Sequence, residues 1–262
     1  MLEKIITTCL GRVSVAIKER NSDIPIIFLH GVFLDKSLWT AYGAELTDRT
    51  HIYVDMPGHG SSADVGHDWC LDDCTDMLIQ VMDALGISKC TVIGHSWGSM
   101  TALRAAVKFP DRFSALGLFN MPFKKTKGLR RLGFILQKCM LSFPKFYGKQ
   151  AAQSLYSKSI LLEQPHFLTQ MQDRLAKRSA KELSRLIDAV ILQPEDASHL
   201  LQQLTVPALA VIGETDYVGK PPKLLTWVVA GGHISPHESV EKITNAILAI
   251  TGLGGQRDAK AI

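Results

Sequence analysis

Ser96 stands at the centre of the sequence GHSWG, residues 94–98, and is the first candidate for a reacting side chain. The apolar run CTVIG precedes it and SMTALRAAVKF follows it, which predicts a strand that turns directly into a helix. Glycines two residues before and two after the serine remove side chains that would clash in such a corner. In this setting the G-x-S-x-G pattern presents a hydroxyl for attack, so Ser96 is predicted to be a nucleophile.

A serine hydroxyl needs a base that takes its proton. His233 follows an apolar run and two glycines, which allow the chain to bend, and the other eight histidines lack this context or this late position. The imidazole in turn needs a carboxylate. Asp216 is the preferred candidate because it stands just beyond the run ALAVIG, and Glu214 is the alternative. Asn120, at the end of the preceding predicted strand, carries no charge.

Backbone N–H groups are expected to stabilise the negative oxygen that forms during acyl transfer. Trp97 offers one N–H, and Val32, in the turn HGVF, offers the other, since Gly31 keeps this backbone open. The candidates for substrate contact are Gly31, Phe33, His95 and Met121. We expect no metal and no cofactor, because the five cysteines fit no zinc-binding spacing and are predicted to be reduced thiols.

The elements that must position these residues alternate along the chain. Two β-rich pieces on either side of residues 10–11 predict an opening hairpin. Apolar runs follow at IPIIFL, HIYV, CTVIG, FSALGLF, ALAVIG and LLTWVV, and helical patterns separate most of them. This alternation indicates an α/β fold with a mostly parallel central sheet flanked by helices.

Residues 122–205 interrupt the alternation, because they contain helical patterns and no convincing strand. We predict an inserted helical cap there, and a core built from residues 1–121 and 206–262. Only eleven residues, 213–223, connect the last two predicted strands. A parallel crossover usually needs about a dozen, so a loop is expected in place of a full helix.

The motifs FLHGVF, DMPGHGSS, GHSWGS, FPDRF, GETD and GGH resemble those of the α/β-hydrolase superfamily over nearly the whole chain. The resemblance implies Ser96 as nucleophile, Asp216 as acid and His233 as base. It also implies oxyanion donors at Val32 and Trp97, and a helical cap over the pocket. The chain is most similar to small intracellular carboxylesterases, thioesterases and acyl-carrier methyl ester esterases. A serine at position 96 argues against relatives that attack with a carboxylate.

The first half of the insertion is basic. Residues 121–162 contain nine lysines and arginines and no acidic residue, interleaved with leucine and phenylalanine. The segment is interpreted either as a solvated face over an apolar pocket or as a surface that receives an amphiphilic acyl substrate. In the preferred second interpretation, an acidic carrier or an anionic membrane meets residues 124–158. The net charge of the chain, +4, is too small to indicate nucleic-acid binding.

Composition indicates the class of protein and its expected location. Hydrophobic residues make up 46% and charged residues 21% of the chain, which is typical of a globular protein. No apolar window approaches the length of a membrane span, and the N-terminus lacks the features of a secretory signal, so a cytoplasmic protein is expected. The predicted function is cleavage of a carboxylic ester or thioester through an acyl-enzyme. Hydrolysis of a C–C bond or an amide, and a slow hydrolase-fold receptor or signalling protein, remain alternatives.

Overall fold

The computed structural model describes residues 1–20, 24–44, 46 and 48–258. Its strands are β1 Leu2–Thr8, β2 Gly11–Lys18, β3 Ile26–Leu29, β4 His51–Val54, β5 Cys90–His95, β6 Phe113–Phe119, β7 Ala208–Gly213 and β8 Thr226–Val229. Its helices are α1 Ser37–Thr40, α2 Leu71–Ala84, α3 Trp97–Lys108, α4 Gly128–Gln137, α5 Pro144–Leu155, α6 Lys158–Glu163, α7 His166–Ala176, α8 Ala180–Ile187, α9 Ser198–Gln203, α10 Ser235–Glu238 and α11 Val240–Asp258.

The strands form one eight-stranded sheet in the order β1-β2-β4-β3-β5-β6-β7-β8. β1 and β2 pair antiparallel, which confirms the predicted hairpin, and β2 also runs antiparallel to β4. The remaining neighbours are parallel. Every residue of β3, β4, β5 and β6 is buried, as the continuous apolar runs predicted. The predicted mostly parallel α/β sheet is therefore confirmed.

The segment between β6 and β7 consists of the helices α4 to α9, and none of its residues, all of which are described, forms a strand. Two salt bridges join it to loops that follow the central strands. Arg174 of α7 lies 2.7 Å from Asp35, and Arg185 of α8 lies 2.6 Å from Asp64. The division of the chain into a core and a separate cap domain stays a prediction.

The connection between β7 and β8 contains turns and no helix across residues 214–225, all of them described. The expectation of a loop is confirmed. Ala210 nevertheless pairs with Thr226 in parallel register, so the short crossover still brings β8 to the edge of the sheet. Within the part of the chain that the structure describes, no helix is both long enough and apolar enough to cross a bilayer.

Candidate active site

The corner between β5 and α3 places Ser96 in a backbone conformation that side chains rarely adopt, with φ of 49° and ψ of −109°. Both flanking positions require glycine, because neighbouring backbone atoms lie too close for a Cβ. A Cβ on Gly94 would lie 2.5 Å from the backbone of Gly98, and a Cβ on Gly98 would lie 2.4 Å from the carbonyl oxygen of Leu29. The surrounding backbone therefore holds the serine in a strained turn, as the sequence pattern predicted.

Three predicted residues meet at this corner. Ser96 Oγ lies 2.8 Å from His233 Nε2, and His233 Nδ1 lies 2.9 Å from Asp216 Oδ1. The side chain of His233 is 3% exposed and that of Asp216 is fully buried, so the hydrogen bonds are shielded from water. Glu214, the alternative acid, is exposed, and its backbone N–H continues the sheet by donating to Val229. The carboxylate that contacts the imidazole is thus that of Asp216.

Asp216 is held ionised by its neighbours. Burial alone would raise the pKa of this carboxyl, but hydrogen bonds from His233, from Asn120 Nδ2 at 2.7 Å and from the N–H of Val218 at 3.3 Å lower it. Asn120 in turn accepts a hydrogen bond from Ser235 Oγ at 2.6 Å. Sequence reasoning noted only that Asn120 is uncharged. Its position at the end of β6, beside the strand that leads to Asp216, was the available signal for this supporting role.

Two buried histidines fix the turn that carries Val32. His59 Nε2 accepts the N–H of Phe33 at 3.1 Å, and His30 Nε2 accepts the N–H of Met56 at 2.9 Å. Burial lowers the pKa of both rings, which keeps them neutral and able to accept. Because the N–H of Phe33 is already used, Val32 offers the free donor on this turn among the described residues. Sequence analysis considered these two histidines only as candidates for the base.

Trp97, the second predicted oxyanion donor, and the four predicted substrate-contact residues lie in different parts of the site. Trp97 is the first residue of α3, and first-turn N–H groups have no acceptor within their own helix. Phe33 lines the cavity above Ser96, but Gly31, His95 and Met121 are not among its lining residues and are buried.

His95 packs behind the reacting serine instead of facing the cavity. Its Nε2–H donates to the carbonyl oxygen of His233 at 2.7 Å, and a Cβ on Gly31 would lie 2.5 Å from its Nδ1. Burial lowers the pKa of His95 to about 3. These contacts explain why the turn at residue 31 needs a glycine, and they make His95 a support for the loop that carries the imidazole.

A cavity of about 830 Å³ opens over Ser96 and His233. Its apolar wall includes Phe33, Met100, Phe123, Phe134, Tyr147 and Ile191. Its basic rim consists of Lys124, Lys125, Lys127 and Arg130, and no described residue that lines it is acidic. Lys125 is paired with Glu195 at 2.5 Å, which leaves the other three to set the potential at the rim. The volume is within the range of small-molecule sites.

Arg130 connects the insertion to the imidazole through an aromatic ring. Its guanidinium carbon lies 3.6 Å from the ring centroid of Tyr217. That ring stacks on His233 with centroids 4.7 Å apart and an angle of 19° between the planes. The stack restricts the rotation of the imidazole. Tyr217 was not singled out by the sequence, and Arg130 was noted only as one of the basic residues within 124–158.

The loop that carries His233 is also tied to the end of α5. Glu238 accepts the N–H of Gly232 at 3.1 Å and the N–H of Ser157 at 3.1 Å. Ile234 N–H donates to the carbonyl oxygen of Leu155 at 3.2 Å. The hydrogen bond between Tyr156 Oη and His237 Nδ1, 2.8 Å long, joins the same two segments. The insertion therefore contributes directly to the placement of the imidazole.

The charges of the insertion are partly neutralised within it. Besides the pair at Lys125, Lys138 lies 2.7 Å from Asp188, and Arg131 donates to the carbonyl oxygen of Leu192. The sequence alone showed a run of unopposed basic residues, because their acidic partners come from its second half. All five cysteines are free. Among the described residues, no group of three or more acidic, histidine or cysteine side chains is arranged to hold a metal ion.

Comparison with known proteins defines the class of the molecule. The model of the α/β hydrolase fold family matches residues 24–243. An esterase from Thermogutta terrifontis superposes with a TM-score of 0.81 at 22% identity, covering 95% of this chain and 97% of that one. The enol-lactonase from Burkholderia xenovorans LB400 superposes with a TM-score of 0.85 at 17% identity, covering 95% and 100%. The chain belongs to the α/β hydrolase fold family.

Curated relatives match over shorter segments. An (E)-2-((N-methylformamido)methylene)succinate hydrolase from Acinetobacter baylyi is 28% identical over 43% of this chain and 43% of its own length. A 2-succinyl-6-hydroxy-2,4-cyclohexadiene-1-carboxylate synthase from Escherichia coli is 37% identical over 31% of this chain and 32% of its own length. The chain thus spans less than half of the length of these relatives. The family and its neighbours support a hydrolase.

Proposed function

We propose that this protein is a serine hydrolase that cleaves a carboxylic ester or thioester through an acyl-enzyme. The observation that carries the proposal is the unbroken hydrogen-bonded chain from Ser96 through His233 to Asp216 at the floor of the cavity. A buried, ionised carboxylate fixes the imidazole tautomer and stabilises its cation, as acyl transfer by serine requires. The esterases and the enol-lactonase among the structural neighbours lend further support.

Each of these groups has a defined role in the proposed reaction. His233 takes the proton of Ser96 while Oγ attacks the substrate carbonyl. The backbone N–H groups of Val32 and Trp97 stabilise the oxyanion. His233 then protonates the departing alkoxide or thiolate, and afterwards activates the water that releases the acid. Asp216 stays ionised while it stabilises the imidazolium, because the hydrogen bonds from His233, Asn120 and Val218 lower its pKa.

An amphiphilic acyl substrate fits the cavity best. The apolar wall takes an alkyl or acyl chain, and the rim formed by Lys124, Lys127 and Arg130 takes an anionic group near the entrance. We therefore extend the proposal to acyl esters or thioesters whose leaving group, carrier or headgroup is negatively charged. A panel of esters and thioesters of graded chain length, with and without an anionic group, tests this extension. Equal turnover throughout the panel would remove it.

Replacement of Ser96 tests the reaction itself. The variant Ser96→Ala is expected to lower kcat for p-nitrophenyl esters by roughly three to six orders of magnitude, because the nucleophile is lost. It should also abolish labelling by a fluorophosphonate. Ser154→Ala is the matched control, since Ser154 lines the same cavity without contacting His233, and it should retain activity and labelling. Wild-type protein that is labelled but turns over no ester would favour a receptor or signalling role.

A carboxylate-bearing small molecule is the second candidate substrate, with cleavage at an amide or a C–C bond. The favouring observation is again the basic rim, since none of the described residues that line the cavity is acidic. Both curated relatives are named after compounds that carry carboxylates. Turnover of a diketone acid or an aminoacyl amide, together with weak activity on every ester, would select this candidate. The same Ser96→Ala variant would then show whether the serine takes part.

A further inference from the structure

The helix α4, residues 128–137, has its apolar side turned toward solvent. Leu129 is 87% exposed, Leu132 49% and Leu136 61%. Their spacing of three and four residues places them on one side of the helix. An amphipathic helix in a globular protein normally buries such a stripe, so this orientation leaves apolar area unpartnered.

The other side of α4 explains the orientation. Arg130, Phe134 and Gln137, also spaced by four and three residues, line the cavity above Ser96. Arg130 additionally packs on the ring of Tyr217. The helix thus turns the side that carries Arg130, Phe134 and Gln137 toward the site and leaves its leucines on the outer surface. The outer surface and the entrance of the cavity are consequently two sides of one helix.

Further exposed apolar side chains follow directly along the chain. Phe143 is 67% exposed and Phe146 is 52% exposed. We call the exposed apolar side chains of this stretch the 129–146 surface: Leu129, Leu132, Ile135, Leu136, Phe143 and Phe146. Scattered single leucines are normal on a protein surface, but a concentration of this kind marks an interaction site.

Charge identifies the partner. The stretch that contains the 129–146 surface has nine basic and no acidic residues from position 121 to 162. Among the described residues, the basic groups of this stretch that form salt bridges are Lys125 and Lys138. Lys127, Lys145 and Lys149 are exposed beside the apolar side chains in the sequence. A second copy would oppose like charges in a self-complementary interface, whereas an anionic lipid surface satisfies both the leucines and the lysines.

We propose that the 129–146 surface docks on an anionic lipid bilayer, with α4 lying in the plane of the interface and the cavity entrance beside it. The binding step is independent of the reaction at Ser96. One consequence rests on the proposed function: an acyl substrate dissolved in the bilayer reaches the cavity along α4 without passing through water.

Vesicle binding tests the docking step. The full-length protein is mixed with vesicles of phosphatidylcholine alone or of phosphatidylcholine with phosphatidylglycerol, and the bound fraction is measured by flotation. We expect binding to the anionic vesicles. The variant L129S/L132S/L136S should weaken it at least about tenfold, because three apolar side chains no longer enter the interface. The matched control L225S/V240S/L248S removes three exposed apolar side chains outside the surface and should bind as the wild type does.

A charge variant separates the electrostatic contribution to vesicle binding from the apolar contribution. K145E/K149E should weaken binding to the anionic vesicles by about tenfold or more, since each basic residue near a lipid surface contributes roughly a factor of five. Added salt should weaken wild-type binding in the same direction. Should the triple leucine variant fail to fold, the single variant Leu129→Asp, at the most exposed of these positions, replaces it.

The outcomes distinguish the proposal from its competitors. Wild-type protein that fails to float with anionic vesicles overturns it. Equal binding to both vesicle types, or equal loss in the control variant, overturns it as well. A dimer that L129S/L132S/L136S converts to a monomer, without vesicle binding, assigns the surface to a second copy. Capture of an acidic carrier protein without vesicle binding assigns it to a carrier. Vesicle binding by the Ser96→Ala variant, whose kcat is expected to be strongly reduced, shows that docking does not depend on the reaction.

Discussion

Asn120 helps to keep Asp216 ionised through a hydrogen bond, in addition to the larger effect of His233. Its Nδ2 group donates to Asp216 Oδ2 at 2.7 Å, and its Oδ1 accepts from Ser235 at 2.6 Å. The ionised carboxylate only accepts, so it selects the amide orientation that donates to it, and the Ser235 hydroxyl then donates to the amide oxygen. Donors that contact the ionised form lower the pKa of a carboxyl. At the scale of the residue, Asn120 is therefore a positioning group that acts through Asp216.

Replacement of Asn120 by leucine should lower kcat about tenfold, because a hydrogen bond to a buried charge is lost. Removal of the donor leaves the carboxylate of Asp216 less stabilised and strengthens its attraction for the imidazolium of His233, so the acid side of the pH–kcat/KM profile should move to higher pH. Steady-state kinetics across pH measures both effects. The variant Ser235→Ala keeps the Asn120–Asp216 contact and should show a smaller change. An unchanged pH profile in Asn120→Leu would contradict this role.

At the scale of elements, the insertion and the loop that carries His233 behave as one unit. Glu238 of α10 accepts N–H groups from Gly232 on that loop and from Ser157 at the end of α5. The backbone of this loop is also close-packed, because a Cβ on Gly232 would lie 2.9 Å from the carbonyl oxygen of Leu155. Movement of α5 therefore displaces the imidazole. Catalysis at Ser96 is expected to depend on contacts outside the cavity.

The substitution Glu238→Ala should reduce kcat roughly tenfold while KM changes little, since the His233 loop loses the hydrogen bond from Gly232 to a carboxylate and its link to Ser157. Glu238→Gln keeps a carbonyl acceptor and should restore most of the rate. Initial rates with a p-nitrophenyl ester give both parameters, and urea unfolding reports stability separately. A fall in stability with an unchanged kcat would show that Glu238 has only a structural role.

At the scale of the whole molecule, several buried histidines are held neutral. His30, His51, His59 and His95 are at most 2% exposed, and burial lowers the pKa of each ring. The pKa is about 4 for His51 and about 3 for His95. In the unfolded chain these rings titrate near ~6.5. Because the folded pKa lies below the unfolded one, their contribution to stability is complete above that pH and is lost as the pH falls.

Acid should therefore destabilise the protein well before its carboxylates titrate. Each such histidine removes up to about 1.4 kcal/mol of unfolding free energy per pH unit below pH ~6.5. His51→Phe should make this dependence shallower by that amount, down to the pKa of about 4 that His51 has in the folded protein. Urea unfolding at several pH values provides the measurement. His67→Phe, at an exposed position, is the control, and an identical slope in all three proteins would contradict the argument.

The elements around the reacting serine were predictable because their signals are local. The tight corner at Ser96 needs small residues two positions away on each side, and buried parallel strands need continuous apolar runs. The hairpin, the parallel sheet and the helix-free crossover before β8 follow from such short-range rules, and the structure confirms them. The sequence also predicted that Ser96, Asp216 and His233 meet, because each follows a predicted strand and such residues come together at one edge of the sheet. Its geometry is present, and its catalytic role stays a proposal.

The supporting contacts could not be deduced in this way, because they join residues far apart in the sequence that share no spacing or periodicity. Asn120 and Asp216 are 96 positions apart, and Gly232 meets Ser157 through Glu238. The pairing of Lys138 with Asp188 likewise changed the charge that the sequence implied for the insertion.

The sequence by itself determined the turn that exposes a serine hydroxyl, because steric rules act within a few residues. Tertiary structure alone decided which acid contacts the imidazole, which histidines support it, and which side of α4 faces water. An amphipathic pattern predicts only that one side of a helix is more apolar than the other. The packing of its neighbours decides which side is covered, and here the side with Arg130, Phe134 and Gln137 lines the cavity while the leucines remain exposed.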